Sequence, residues 1–133
     1  MSTYSEIMTD SLRLIGVLME TESLSAEQAA DGIVVFNDMM ALWESVGIDV
    51  GHAPTDTPTD TITYPAKARM AIKSNLAIAL CPHFDRTPSP VLIAMAQSSY
   101  NAILRDAIHK NMKPSSLDTL SSQRQIAFIE SGP

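Results

Sequence analysis

The fold is specified mainly by residues 12–47, LRLIGVLMETESLSAEQAADGIVVFNDMMALWESVG. This stretch reads as the end of an apolar helix, a short acidic connection, and a second helix with a clear start and end. Ser25 followed three residues later by Gln28 is the capping-box pattern of a helix start. Gly47 stands where helices commonly end in a left-handed residue. The stretch therefore predicts two consecutive helices, and it contains no recognisable catalytic motif.

The second helix, from about Ala26 to Val46, is apolar on more than one side. A helix with one apolar stripe rests on a single core, whereas two stripes require burial on two sides. Either this helix is central to a bundle, or one of its stripes faces another subunit. The first stripe is Ala29, Ile33, Phe36, Met40 and Trp43, and the second is Val35, Met39, Leu42 and Val46.

Three further helices follow from apolar periodicity and from signals at helix ends. The first helix spans about residues 4–19, where apolar residues recur every three or four positions. The third begins at Pro65, a favourable first helical residue, and ends at the segment CPHF, residues 81–84. The fourth starts after Ser89 with Pro90 in its first turn. Short connections predict that helices one and two, and helices three and four, are antiparallel neighbours.

The sequence therefore predicts an all-α fold, a small bundle of about four helices. A long extended loop is expected between helices two and three, and an extended tail at the C-terminal end. We expect the helical domain over residues 1–111 and the tail over residues 112–133. A chain of 133 residues, 45 % of them apolar, has the size and composition of one domain with a modest core.

Charge and composition exclude several classes of protein. The net charge of −6 argues against a basic surface that binds nucleic acid. Cys81 is the only cysteine, so no internal disulfide is expected. The first ten residues lack the basic and apolar regions of a signal peptide. The longest apolar run, Val91–Ala96, is far shorter than the roughly 20 residues that span a bilayer, so no membrane contact is expected.

The loop between helices two and three repeats the sequence PTDT in direct succession, at residues 54–57 and 58–61. Its threonines alternate, which would place them on one face of an extended chain. Long connections of this kind are uncommon in small domains and are often functional. The loop is either a mobile surface loop or an extended arm that lies on a neighbouring protein. The alternating residues are Thr55, Thr57, Thr59, Thr61 and Thr63.

The tail that follows Met112 is polar and rich in serine, and it then becomes apolar at IAFI, residues 126–129. An exposed apolar segment near a chain end needs a surface on which to pack. Two interpretations remain open: the tail docks on its own bundle, or it hooks onto a partner. The candidate contact residues are Leu117, Leu120, Ile126, Phe128 and Ile129.

The start of the third helix breaks a local rule. Lys67, Arg69 and Lys73, which we call the basic strip, lie in its first turns. Cations at the N-terminal end of a helix are unfavourable by roughly 0.3–1 kcal/mol each. The strip is either a solvated face that tolerates this cost, or a subunit interface that meets an acidic surface on a neighbouring copy. The threonines at positions 55, 57, 59 and 61 are candidates for the same interface.

Patterns that support catalysis or metal binding are weak. The sequence lacks the glycine-rich phosphate-binding loops and the G-x-S-x-G nucleophile motif. Cys81 and His83 are too few to hold a zinc ion and read as a helix end. Acidic residues near the start of helix two could in principle supply the carboxylate pair of a glycosidase, but the favoured interpretation is that they are ordinary helix-dipole partners. They are Glu20, Glu22 and Glu27, with Glu44 farther along. We expect no cofactor, no metal and no enzymatic activity.

The order and spacing of several segments resemble the head-to-tail adaptor proteins of tailed phages. The similarity is greatest to the tail accessory factors, or packaged-DNA-stabilisation proteins, of short-tailed phages. It extends over about residues 1–111. The segments that carry it are Leu12–Leu18, Ser25–Asp31, Asn37–Met40 with Trp43 and Gly47, and Ser74–Pro82.

This resemblance implies a structural virion protein of the neck or tail, present in the host cytoplasm during assembly. Such adaptors assemble as a ring of their own copies, commonly twelve, under the portal protein. The ring extends the DNA channel, helps to retain packaged DNA and provides a platform for tail or nozzle proteins. The DNA passes without sequence-specific binding, and the C-terminal segment reaches along the portal.

Two rival classes remain open. The chain is alternatively a generic helical module for protein interaction, or, less consistently with its motifs, a cell-wall hydrolase. Binding to purified portal rings distinguishes the adaptor from the generic module. A zymogram distinguishes it from the hydrolase.

Overall fold

A computed structural model describes residues 2–50, 52, 54–62 and 64–111 of the chain. Four α-helices form a bundle, and two short strands pair beside it, which confirms the prediction of an all-α fold. The tail after residue 111 lies outside the described residues. In chain order the elements are β1 (Ser2–Thr3), α1 (Tyr4–Leu14), α2 (Ala26–Ser45), β2 (Thr61–Ile62), α3 (Ala66–Leu80), a 3-10 turn (Cys81–Phe84) and α4 (Pro90–Asn111).

The central helix of the bundle is α3, which packs against α1, α2 and α4. Its buried positions include Ala71, Ile72, Leu76 and Ala77, each fully inaccessible to solvent. Small residues let neighbouring helices approach this helix from several sides. Of the two alternatives for the second helix, a central position in the bundle is therefore wrong, because α3 takes that place.

Helix α2 lies on the flank of the bundle and buries one of its two apolar stripes. The residues of the first stripe, from Ala29 to Trp43, are all buried in the core. The second stripe is divided: Met39 is buried, whereas Leu42 is 65 % and Val46 50 % exposed. The described chain therefore leaves part of the second stripe in contact with solvent.

Helix α1 ends five residues before the predicted boundary at residue 19. Gly16 adopts a left-handed conformation with φ of 77°. The Gly16 amide donates to the carbonyl of Arg13, and the Val17 amide donates to the carbonyl of Leu12. These two bonds form a Schellman motif, which satisfies the last carbonyls and stops the helix. Gly47 ends α2 in the same way, as predicted.

The starts of three helices are capped by side chains. The predicted capping box of Ser25 and Gln28 is present at α2, and Thr3 forms an equivalent box with Glu6 at α1. Ser89 accepts a hydrogen bond from the amide of Leu92 at the start of α4, as its sequence position predicts. Helix α3 begins at Ala66, one residue after the predicted Pro65.

Polar side chains join the helices across the core. The Ser11 hydroxyl of α1 donates to the carbonyl of Lys73 in α3. The Asn75 amide of α3 donates to the carbonyl of Ala96 in α4 at 3.1 Å. Lys67 at the start of α3 pairs with Asp106 near the end of α4, so these two helices are antiparallel as predicted. No helix among the described residues has the length and apolar character needed to cross a membrane.

Candidate functional site

The loop between α2 and α3 folds back onto the start of α1. Strand β2 pairs antiparallel with β1, with Ser2 opposite Ile62 and Thr3 opposite Thr61. The amide of Tyr4 donates to the carbonyl of Asp60 at 3.1 Å, and the amide of Ser5 donates to that of Pro58 at 2.8 Å. The first amides of a helix have no partner inside the helix. Loop carbonyls therefore complete the N-terminal end of α1.

A cluster of polar and aromatic side chains holds the other end of this loop, and His52 lies at its centre. The Asn37 amide nitrogen donates to the carbonyl of Thr55 at 2.8 Å, and its oxygen lies 3.1 Å from Nε2 of His52. The hydroxyl of Tyr64 lies 2.8 Å from Nδ1 of His52, and that of Tyr4 lies 3.3 Å from the same atom. We call these four side chains, Tyr4, Asn37, His52 and Tyr64, the His52 cluster.

The hydrogen bonds of the cluster fix the tautomer of His52. Because the amide oxygen of Asn37 can only accept, Nε2 of His52 carries the proton. Nδ1 is then an acceptor, and Tyr64 donates its hydroxyl proton to it. Burial lowers the pKa of His52, while the charge of Glu44 raises it to a smaller extent. The ring is therefore held neutral.

Stacked rings support the polar contacts. The His52 ring stacks on Phe36 of α2 with centroids 5.7 Å apart, and Tyr64 stacks on the same ring at 6.2 Å. Tyr4 meets Phe36 edge to face at 5.1 Å. Burial raises the pKa of both Tyr4 and Tyr64, so both phenols remain protonated.

The His52 cluster anchors the loop; its geometry does not resemble a proton-transfer centre. Both ring nitrogens of His52 are already engaged by side chains of the same chain, which leaves neither of them for a substrate. Within the described part of the chain, no three His, Cys, Asp or Glu side chains come close enough to hold a metal ion.

The threonines of the loop do not share one face. The amide of Asp60 donates to the carbonyl of Thr57 at 3.1 Å, which closes a turn, and of the loop threonines that the structure describes only Thr61 lies in a paired strand. The Thr55 hydroxyl donates to the carboxylate of Asp60 and accepts from the amide of Thr57. The expectation of a uniformly extended ribbon is wrong here, because a turn and local side-chain bonds bend the backbone. Thr63 lies outside the described residues.

The basic strip is divided by an ion pair within the chain. Lys67 contacts Asp106 at 2.6 Å, and Lys110 approaches the same carboxylate at 3.6 Å. These two lysines hold the pKa of Asp106 below its usual range, chiefly through the hydrogen bond from Lys67. The positive charge of Lys67 is therefore matched internally. Arg69 and Lys73 form no ion pair within the described residues.

The acidic residues considered for hydrolysis have ordinary structural roles or lie in solvent. Glu22 accepts a hydrogen bond from the amide of Met19, and the backbone carbonyl of Glu20 accepts one from Arg13. Glu27 lies in the first turn of α2, and Glu44 is exposed near its end. Cys81 is buried in the 3-10 turn, where burial raises the pKa of its thiol, while His83 is exposed.

Exposed apolar side chains lie on several helices of the bundle. On α2 they are Val34, 58 % exposed, and Leu42, and Val46 follows directly after its last residue. Met70 on α3 and Val91 on α4 are also exposed. The sequence did not single out three of these residues: Val34 lies outside both stripes predicted for helix two, and no contact residue was predicted at Met70 or Val91. The predicted contact residues of the tail, from Leu117 to Ile129, lie outside the described residues.

The fold and these surfaces define a class of protein: a small helical bundle whose described residues offer surfaces for contact with other molecules. Residues 1–120 match the family described as the P22 tail accessory factor. The chain therefore belongs to the P22 tail accessory factor family, which confirms the resemblance found in the sequence. Its role is a structural one in the phage tail, as a component of the virion. Among curated protein sequences, none matched the chain.

Proposed function

We propose that this protein is a head-to-tail adaptor that assembles as a ring, of twelve copies, under the portal protein. The ring extends the DNA channel, helps to retain the packaged genome and offers a platform for tail or nozzle proteins. The observation that carries this proposal is the family match over residues 1–120. The exposed apolar residues of α2 support it, because assembly would bury them.

The acidic character of the chain suits a channel through which DNA moves. With a net charge of −6, the protein repels phosphate groups and does not retain them. DNA therefore passes without sequence-specific binding in this proposal.

In this proposal two parts of the chain, which differ in composition, have different roles. Residues 1–111 form the adaptor domain, and residues 112–133 form a tail that contacts the portal. The candidate portal-binding residues are Leu117, Leu120, Ile126, Phe128 and Ile129. Thr55, Thr57, Thr59 and Thr61 join the basic strip as candidates for contact between copies. In the proposed order of events, the protein is a monomer or weak oligomer that completes its folding on the portal.

We also propose that the protein is not an enzyme. The supporting observation is that these carboxylates have structural roles: Glu27 lies in the first turn of α2, where carboxylates are ordinary stabilising groups, and Glu22 accepts a hydrogen bond from the amide of Met19 in the connection before that helix. A zymogram with the wild-type protein should show no clearing of peptidoglycan. Clearing that disappears on replacing Glu20, Glu22, Glu27 or Glu44 would instead favour a hydrolase.

The proposed function is tested by binding to purified portal rings of the same phage. The wild-type chain should co-sediment with the rings, and a variant truncated after Asn111 should not. A matched full-length variant with Ser115, Ser116, Ser121 and Ser122 replaced by Ala keeps the tail and should bind as the wild type does. If the truncated chain binds as well as the wild type, the tail has no role in contact with the portal. If the wild type fails to bind, the adaptor proposal is wrong.

A further inference from the structure

Charge is segregated between two helices of the bundle. Helix α2 contains four acidic residues and no basic one, whereas α3 contains three basic residues and no acidic one. The ion pairs of the described residues join Lys67 and Lys110 to Asp106, and neither pair involves α2. The charges of α2 are thus not matched by ion pairs with α3 of the same chain.

The exposed face of α2 carries three of its four carboxylates in one line. Successive members are separated by three or four positions, so they follow one stripe of the helix surface. All five are exposed. Two apolar residues belong to the line, one between the second and third carboxylates and one at its C-terminal end. We call this line the acidic stripe: Glu27, Asp31, Val34, Asp38 and Leu42.

A complementary patch lies on the first half of α3. Arg69 is exposed and Lys73 is half-buried one turn further on, and Met70, 43 % exposed, lies beside them. Lys67 is excluded from this patch because Asp106 already neutralises it. We call Arg69, Met70 and Lys73 the basic patch. Each surface therefore combines charges of a single sign, opposite to the sign of the other surface, with apolar side chains, as the contact regions of protein interfaces do.

We propose that the acidic stripe of one copy binds the basic patch of the next copy. Each surface thus binds a second copy of this chain, because the two surfaces carry opposite charges and both include apolar side chains. Because the stripe and the patch are different surfaces, the contact is head to tail and repeats from copy to copy. Such a contact forms a closed ring when the rotation from one copy to the next returns to the first copy after a whole number of copies. The inference rests on the proposed ring and names the surfaces that would form it.

Charge reversal provides a direct test. In the variant D31K/D38K both surfaces are basic, and in R69E/K73E both are acidic. Each variant alone should associate at least about tenfold more weakly than the wild type, because like charges now face each other. A 1:1 mixture should recover assembly, since every contact in an alternating ring again joins opposite charges. Assembly is measured by sedimentation velocity, with and without purified portal rings.

Matched controls separate this contact from the effect of net charge. The variants E20K/D56K and R86E/R105E change the net charge by the same amounts at exposed positions outside both surfaces. They should assemble as the wild type does. Circular dichroism and the melting temperature establish that all variants fold. The neutral variants D31N/D38N and R69Q/K73Q provide a milder version of the same test, with a several-fold loss expected for each.

The outcomes distinguish the interface from the ring itself. If the wild type assembles and the charge-reversed variants assemble equally well, this interface is wrong and the proposed ring stands. The same conclusion holds if the 1:1 mixture of the two variants does not recover assembly. If the controls lose assembly equally, the effect is one of net charge and the interface is again wrong. If the wild type forms no ring alone or on the portal, the proposed ring and the interface are both wrong.

Discussion

At the scale of single residues, His52 concentrates the contacts that fasten the loop to the bundle. Its two ring nitrogens face Asn37 on α2 and the hydroxyls of Tyr4 and Tyr64, and its ring stacks on Phe36. A proton on Nδ1 would remove the acceptor that Tyr64 uses at 2.8 Å. The neutral form of His52 is therefore part of the folded structure.

This arrangement makes stability depend on pH. Burial holds the pKa of His52 in the folded chain below its ordinary value of 6.5, so on acidification the unfolded chain binds a proton first. The contribution of His52 is fully present above pH 6.5 and is lost progressively as the pH falls below that value. We expect the free energy of unfolding, measured by urea denaturation, to decrease between about pH 7 and pH 5.

The variant H52F isolates this contribution. Phenylalanine keeps the stacking on Phe36 but leaves Asn37 and Tyr64 without their partner, at a cost of about 1–2 kcal/mol at pH 7. Its unfolding free energy should vary less between pH 7 and pH 5 than that of the wild type. The matched control H109Q alters an exposed histidine of α4 and should retain the wild-type dependence. An H52F variant with the full wild-type pH dependence would assign the effect to other groups.

The His52 cluster was not predictable from the sequence. Tyr4 contributes to an apolar stripe, and nothing near His52 in sequence indicates its partners, because they lie 12, 15 and 48 positions away. By contrast, the buried residues Ile33, Phe36 and Met40 were predicted correctly. Helical periodicity records which face is buried, but it carries no information on contacts that depend on the path of a loop.

At the scale of secondary-structure elements, the ends of helices were predicted where a local signal was recognised. Ser25, Gly47 and Ser89 each act at the predicted position. The end of α1 was placed too late because Gly16 was counted within an apolar run. The sequence nevertheless contains the signal for this helix end, because a glycine after a periodic stretch is a common helix terminator.

The Schellman motif of α1 gives a prediction about stability. Ala in place of Gly16 would have to adopt a φ of 77°, which costs about 1–2 kcal/mol for a residue with a Cβ atom. No neighbouring atom lies within 4 Å of the added carbon, so the loss is one of backbone conformation and not of packing. We expect G16A to lower the urea midpoint.

Asparagine tolerates the left-handed region better than alanine does and provides the matched control. The variant G16N should lose less stability than G16A. Equal losses in the two variants would show that the conformation of residue 16 is not the cause.

The conformation of the loop between α2 and α3 was predicted less well than the helices. Strict alternation of threonines suggested an extended ribbon, whereas hydrogen bonds among Thr55, Thr57 and Asp60 form a turn. Threonine and aspartate side chains compete with regular backbone pairing through such local bonds. The alternation in sequence therefore did not determine the local conformation.

Loosening the loop should expose the start of α1. The variant N37A removes the bonds to His52 and to the carbonyl of Thr55, which we expect to weaken the anchorage of the loop by about 1 kcal/mol. The amides of Tyr4 and Ser5, which donate to loop carbonyls, should then exchange with solvent deuterium about fivefold faster. Unchanged exchange at these amides would show that the His52 cluster does not anchor the loop. The control D38A alters the exposed neighbouring residue and should leave the exchange unchanged.

At the scale of the whole molecule, the bundle has an apolar interior, and it leaves charged and apolar side chains of α2 exposed to solvent. The central α3 binds the other helices through small and apolar residues, and polar side chains such as Asn75 tie it to α4. The outer side of α2 keeps carboxylates and apolar residues in solvent. This distribution is typical of a subunit that completes its contacts in an assembly.

The sequence predicted the helical class and the family, because both depend on patterns that are local or ordered along the chain. It could not identify which helix is central, since the charge and size of α2 and α3 do not reveal how they pack. The acidic stripe also required the structure. Only the positions of the buried residues show which carboxylates of α2 face solvent.

The most direct test of the proposed ring is the mass of the complex formed with purified portal rings, measured by native mass spectrometry. We expect a mass increase equal to one chain of 14.4 kDa for each portal subunit, with a closed ring of about twelve copies and few partial rings. Portal rings that gain no mass in the presence of excess protein, or that gain a variable number of chains without a preferred full ring, would contradict it.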